Sequence, residues 1–337
     1  PDARQRTTPH TGTGGARFTL CIMHHSIVVP LDGTSYAERA LGPAARIAAA
    51  TGASLHHVRV TDPAGAVRAY PAEGIGLPPA PIDPLTPSDD AARYLDRVGA
   101  RVEARGVKDV RPAVLDGDVA PSVARYLGHV GADGLAIATH APGPVGRVLS
   151  GSVASDLLAT VRLPVLAIPP APEGHDLEPA DAADICDAIE PGDEPTLTPI
   201  LVAIDGSTSD AAADTAGALT LALGGRLALV HVVSMETFTV GPLSHPTRAW
   251  DEAMHAGERV VDRVRERMRR RGIAADAFVL AHRSPATAIR EVAQEVRAGL
   301  VALGSHRRTG LRRLLLGSVA SDVLTRVCRP VLVHPAC

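Results

Sequence analysis

Aromatic residues are scarce, with Phe, Trp and Tyr together making up 2% of the 337 residues. The core must therefore be aliphatic, and single-stranded nucleic acid, which is gripped by stacking bases on aromatic rings, is a poor fit. Charge of one sign is lacking too. The formal net charge is −3, so no overall field draws the chain to DNA or to an acidic membrane surface. No apolar run reaches the roughly 18 residues that a membrane span needs. Cysteine is limited to Cys21, Cys186, Cys328 and Cys337, with no C-x-x-C pair. These are expected to be isolated reduced thiols in a cytoplasmic protein. Familiar catalytic signatures are missing as well: Walker A, G-x-G-x-x-G after the first strand, G-x-S-x-G and H-E-x-x-H. A phosphate-cleaving enzyme needs an activated water and usually a metal. Dedicated catalysis is therefore not expected.

What the chain does contain is a duplication. Gly-Ser-Val-Ala-Ser-Asp occurs at Gly151–Asp156 and again at Gly317–Asp322. The register continues, since Leu158, Val161, Pro164, Val165 and Leu166 match Leu324, Val327, Pro330, Val331 and Leu332. A period this long means tandem domains rather than a solenoid, in keeping with a length that suggests about two domains. In the first copy, Ser26–Leu31 reads as a buried parallel strand, broken by Asp32-Gly33. Ser35-x-x-Glu38 reads as a capping box opening a helix with Ala37, Ala40, Leu41, Ala44 and Ile47 on its apolar face. Further strands are predicted at Leu55–Val60, Val110–Leu115, Leu135–Ala138 and Val165–Ile168, with helices over Ala91–Ala104, Ala120–Val130 and Gly151–Thr160. The second copy repeats the order. Its strands are predicted at Ile200–Ile204, Leu227–Val233, Phe278–Leu280, Leu300–Leu303 and Val331–His334. Its helices are predicted at Asp210–Leu223, Ala249–Arg271, Ala286–Val296 and Ser318–Val327.

Short apolar strands alternating with helices imply an α/β fold: two tandem, doubly wound, parallel-sheet domains of Rossmann-like type. The expected divisions are a disordered tail over 1–24, domain one over 25–170, a linker over 171–198 and domain two over 199–337. The tail is polar with no apolar stretch, so it does not read as a signal peptide. Pro169 to Thr198 holds nine Asp/Glu, six Pro and no Lys or Arg, the composition of a solvated linker.

Ligands in such folds sit at the carboxyl ends of the strands, where strand order reverses. In the second copy, Gly304 follows the fourth strand and permits close backbone approach. Gly317-Ser318 then opens a helix whose N–H groups and hydroxyl suit phosphate oxygens. Asp205 ends the first strand at the same edge and can accept from a ribose hydroxyl. The plain alternative is that Gly and Ser merely turn and cap. Arg307, Arg308, Arg312 and Arg313 add local positive charge, either for a polyanion or simply as surface. His306 either bonds a phosphate or packs the loop. His56-His57 and His24-His25 lack further ligands at metal spacing and are expected to be structural. Arg265, Arg267 and Arg269–Arg271 suit a helix C-terminus on a solvated face.

These residues resemble the universal stress protein family, and both halves share the resemblance, roughly 25–170 and 199–335. The family's nucleotide-binding pattern is G-x2-G-x9-G-[S/T] after the fourth strand, with an Asp ending the first strand and His-Val in the second. Asp205, His231-Val232, Gly304, Gly317 and Ser318 match it. Arg307 replaces the second glycine, where it would either crowd phosphates or pair with them. In the first copy Ala138 and Ala141 replace both early glycines, and only Asp32, Gly151 and Ser152 remain. The resemblance implies ATP or another adenine nucleotide, with or without magnesium, bound in the second copy by a stress-response regulator. Asp205 would contact ribose or adenine, and Val232 and Leu303 would flank the base. Gly304 would approach closely, while Gly317, Ser318 and Val319 would hold phosphate, with Arg307 as an added cation. It also implies pairing through the last strands, Val165–Ile168 and Val331–His334, as an internal pseudo-dimer. Further homodimerisation and a protein partner that reads the nucleotide state stay open. Two rival readings are a nucleotide-free interaction protein and a slow ATPase or self-phosphorylating enzyme with Ser318 as acceptor.

Overall fold

The computed structural model describes residues 23–61, 87–139, 152–169, 196–206, 209–235, 247–305 and 317–335. In the first half they form β1 (Ser26–Pro30), α1 (Ser35–Glu38), α2 (Leu41–Thr51), β2 (Ser54–Thr61), α3 (Pro87–Glu103), β3 (Val110–Asp116), α4 (Val119–Val130), β4 (Gly134–Ala138), α5 (Ser152–Thr160) and β5 (Val165–Ile168). In the second half they form β6 (Ile200–Ala203), α6 (Ser209–Leu223), β7 (Leu227–Ser234), α7 (Thr247–Arg270), β8 (Ala275–His282), α8 (Pro285–Glu295), β9 (Leu300–Gly304), α9 (Ser318–Arg326) and β10 (Val331–His334).

All ten strands share one sheet in the order β3-β2-β1-β4-β5-β10-β9-β6-β7-β8. Each half is parallel and reverses its winding at its first strand, where β1 pairs with both β2 and β4 and β6 pairs with both β7 and β9. The halves meet at an antiparallel pair, with Val331, Leu332 and Val333 opposite Ala167, Leu166 and Val165. Because side chains alternate across a strand, two aliphatic layers result. Ile27, Val29, Ile200 and Val202 lie in the layer with α2, α3, α6 and α7. Val28, Leu201, Leu166's neighbours Val165 and Ala167, and the buried faces of α4, α5, α8 and α9 form the other. Both layers run through both halves, so the duplication yields one continuous sandwich.

Several local expectations are corrected. The capping box at Ser35 and Glu38 does not form. Thr34 is the cap and accepts from the Ala37 N–H at 3.1 Å. Glu38 instead accepts from the Tyr94 hydroxyl at 2.9 Å and from Arg101 at 2.7 Å, longer-range partners that local spacing does not reveal. The single helix expected there is broken at Arg39-Ala40, since Pro43 has no N–H to continue the ladder back to Arg39. The edge strand β8 extends beyond the predicted Phe278–Leu280, because eight residues pair in register with β7. Cys328 is disulfide-bonded rather than an isolated thiol. Cys21, Cys186 and Cys337 lie outside the described residues. Thiol pairing depends on approach through space, which cysteine spacing does not fix. The 1–24 tail is described only from Met23, and most of the 171–198 linker lies outside the described residues. Packing of the second half already includes Leu197, which is fully enclosed in the core.

Candidate functional site

Ala203 stands opposite Val230 of β7 and Leu303 of β9. Asp205, two residues further, therefore emerges at the carboxyl edge between these strands, exposed, followed by Gly206 at φ +87°. Glycine is needed there because Val260 of α7 lies 3.2 Å from where a Cβ would sit and the φ itself disfavours side chains. Beyond Asp205 the sheet and α7 diverge to leave a cleft of about 420 Å³. It is lined by Asp205, His231, Val232, Val233 and Ser234 on one side and by Ala253, Ala256, Gly257 and Val260 on the other. This lies within the size range of small-molecule sites.

His231 is held by a hydrogen bond between its Nδ1 and the carbonyl of Ile204, at 2.8 Å. A Cβ at Gly257 would come 2.7 Å from the His231 ring, so the glycine makes room for the imidazole. Small residues at 253, 256 and 257, spaced i, i+3 and i+4, put this open stripe on one face of an otherwise charged helix. That stripe is the signal that would have found α7's contribution, which the sequence reading did not assign.

The anticipated site residues fall in four groups. Asp205 lines the cleft, and so does Val232, whose side chain nevertheless packs in the layer opposite α7. Leu303 is 4% exposed in the opposite layer with Val301 and Val323, since its side chain points to the other face from α7. Gly304 pairs with His334, and Ser305 donates its N–H to the His334 carbonyl at 2.8 Å. Gly317 starts α9 at φ 78° and ψ 152° with no side-chain cap. Ser318 is exposed and Val319 is 38% exposed beside it. Arg307, with His306, Arg308, Arg312 and Arg313, lies outside the described residues, as do Ala141 and Gly151. The region can thus offer an acidic acceptor, a half-buried aliphatic wall and a helix N-terminus at one sheet edge.

His56 and His57 are structural. His56 Nδ1 meets the Tyr126 hydroxyl at 2.8 Å, and His57 Nε2 meets the Leu95 carbonyl at 2.9 Å. Burial lowers both pKa values. Among the described residues, no group of three or more His, Cys, Asp or Glu is placed to hold a metal. The terminal arginines of α7 are paired: Arg269 and Arg270 with Glu266, and Arg267 and Arg271 with Asp214 of α6. No helix among the described residues is long and apolar enough to cross a membrane.

A duplicated, doubly wound α/β unit with a cleft at the carboxyl ends of β6 and β7 defines a class of tandem Rossmann-like proteins. The model of the universal stress protein family matches residues 23–169 and 196–335. The chain belongs to that family. It is 30% identical over 230 residues to the universal stress proteins Rv1996 of Mycobacterium tuberculosis and Mb2019 of Mycobacterium bovis. The match covers 65% of this chain and 63% of each relative's length. A universal stress protein from Archaeoglobus fulgidus has the same fold, with a TM-score of 0.62 at 17% identity over 93% of this chain and 99% of that one.

Proposed function

We propose that this chain is a stress-response regulator that binds ATP or another adenine nucleotide in its second half. The observation that carries this reading is the cleft between β7 and α7, with Asp205 at its mouth. Val260 and the β7 backbone at Val232 would flank the base, and Asp205 would accept from ribose or adenine. Phosphates would lie toward the start of α9, where Gly317 leaves the first N–H groups without a side-chain cap. Arg307 would add charge from the β9–α9 connection. With no metal-ligand cluster among the described residues, magnesium would arrive on the phosphates. Nucleotide occupancy would then bias a surface that a protein partner reads. We read the role as binding rather than catalysis. Turnover abolished by Ser318→Ala but kept in Ser152→Ala would reverse that.

The test is mass spectrometry of nucleotide released from freshly purified protein, with titration of Gly317→Asp and Gly317→Asn. Both substitutions strain the same φ, but only Asp repels phosphate. Stoichiometric nucleotide, lost in Asp and largely kept in Asn, is the expected result. No released nucleotide, with no binding of ATP and magnesium, would overturn the reading. It would favour a nucleotide-free interaction protein, the reading that Arg307 in place of glycine also motivates.

A further inference from the structure

The first half has the same cleft position, but different side chains stand in it. Ile27 pairs with Leu55 as Ile200 pairs with Leu227, so Arg59 occupies the place of His231. On the covering helices, Leu95, Val98 and Val102 fill the core as Val261, Val264 and Met268 do. Tyr94 therefore stands where Val260 stands, and Ala91 where Gly257 stands. Gly33, at φ +92°, corresponds to Gly206.

Two small or folded-back side chains in the second half are thus replaced by two large planar ones. The Arg59 guanidinium lies 3.5 Å from where a Gly33 Cβ would sit. It lies over the Tyr94 ring, 5.1 Å from the centroid, and 4.0 Å from the Asp90 carboxylate. Tyr94 is only 8% exposed, and its hydroxyl donates to Glu38, which also holds Arg101. Asp32 turns one carboxylate oxygen back onto Thr34, accepting from its N–H at 2.8 Å and its hydroxyl at 2.6 Å.

We propose that Arg59 and Tyr94 form a built-in plug, a guanidinium stacked on a phenol in the space that a planar base takes in the second half. The chain then admits one base rather than two. This rests on the reading of the second cleft as the base site. It is distinct from the loss of phosphate-loop glycines at Ala138 and Ala141, because it acts on the base side alone.

Adenosine, which carries no phosphate, isolates that side. The full chain bearing Arg59→His, Tyr94→Val and Ala91→Gly takes the second half's residues. Equilibrium dialysis should show one more adenosine site per chain than wild type, lost again when Asp32→Ala is added. An unchanged site number in a variant that melts cooperatively overturns the plug. Should that variant fail to fold, the reciprocal His231→Arg/Val260→Tyr closes the second cleft instead. It should weaken adenosine about tenfold or more, the scale of a clash in a small apolar pocket, and unchanged affinity overturns the plug. If wild type binds no adenosine, the second-half function falls, yet a site gained or not gained in the first half still decides the plug.

Discussion

At the scale of single residues, His57 shows how one position diverges between copies. It is fully buried, its Nε2 faces the Leu95 carbonyl, and its Nδ1 has no hydrogen-bond partner among the described residues. The equivalent residue in the second half is Leu229, which is simply core. Desolvation lowers the pKa of His57, and also those of His56 and His334. These histidines stay neutral when folded but take up protons when unfolded below their ordinary pKa of about 6.5. Unfolding then binds protons, so stability falls as pH drops from about 6.5 toward the depressed native values. The slope is at most about 1.4 kcal/mol per pH unit for each such residue. His57→Leu should flatten it, and urea midpoints at neutral and mildly acidic pH would show this. Equal acid slopes in variant and wild type would contradict the assignment.

At the scale of elements, α7 joins two demands on one helix. Val261, Val264 and Met268 anchor it to the core, while Ala253, Ala256 and Gly257 hold back from the sheet to leave the cleft. Gly257 is the point of conflict. Alanine there gains about 1 kcal/mol of helix propensity, but its Cβ would meet the His231 ring at 2.7 Å. The ring must then leave its bond to the Ile204 carbonyl. Gly257→Ala should leave stability within about 1 kcal/mol, the two effects offsetting. It should weaken nucleotide about tenfold, a loss near 1.4 kcal/mol. Calorimetric titration beside a thermal melt separates the two. The ion pairs at the end of α7 matter less. Asp214→Ala, which releases Arg267 and Arg271, should cost about 1 kcal/mol or less, since such partly exposed pairs are screened.

For the whole molecule, the antiparallel joint of β5 and β10 is the decisive feature. Leu166 and Leu332 face each other across it, both fully buried. Both core layers continue through it. A cut within the acidic stretch 171–195 should therefore leave the halves together on gel filtration under native conditions. Leu332→Ala opens a cavity at the joint and should cost about 2–5 kcal/mol. Combined with the cut, it should let the halves separate at low concentration. Halves that separate from the singly cut wild type would show that the joint is too weak to hold them.

Periodicity and the exact Gly-Ser-Val-Ala-Ser-Asp repeat were enough to place most strands and helices, the duplication, and Asp205 and Gly304 at the carboxyl ends of what prove to be neighbouring strands. Those features are local: alternation sets strands, turn residues set breaks, and identical stretches fold alike. Three-dimensional packing decided the rest. Thr34 caps in place of Ser35, and Glu38 finds its partners, Tyr94 and Arg101, far along the chain. Leu303 turns from the cleft because strand alternation fixes its face once neighbouring strands are in register. The cleft wall comes from α7, distant in sequence from Asp205. The contrast between His231 with Val260 and Arg59 with Tyr94 appears only when the strand registers of the two halves align their positions. Side-chain volume at one point in space is a tertiary property, and no run of neighbouring residues encodes it.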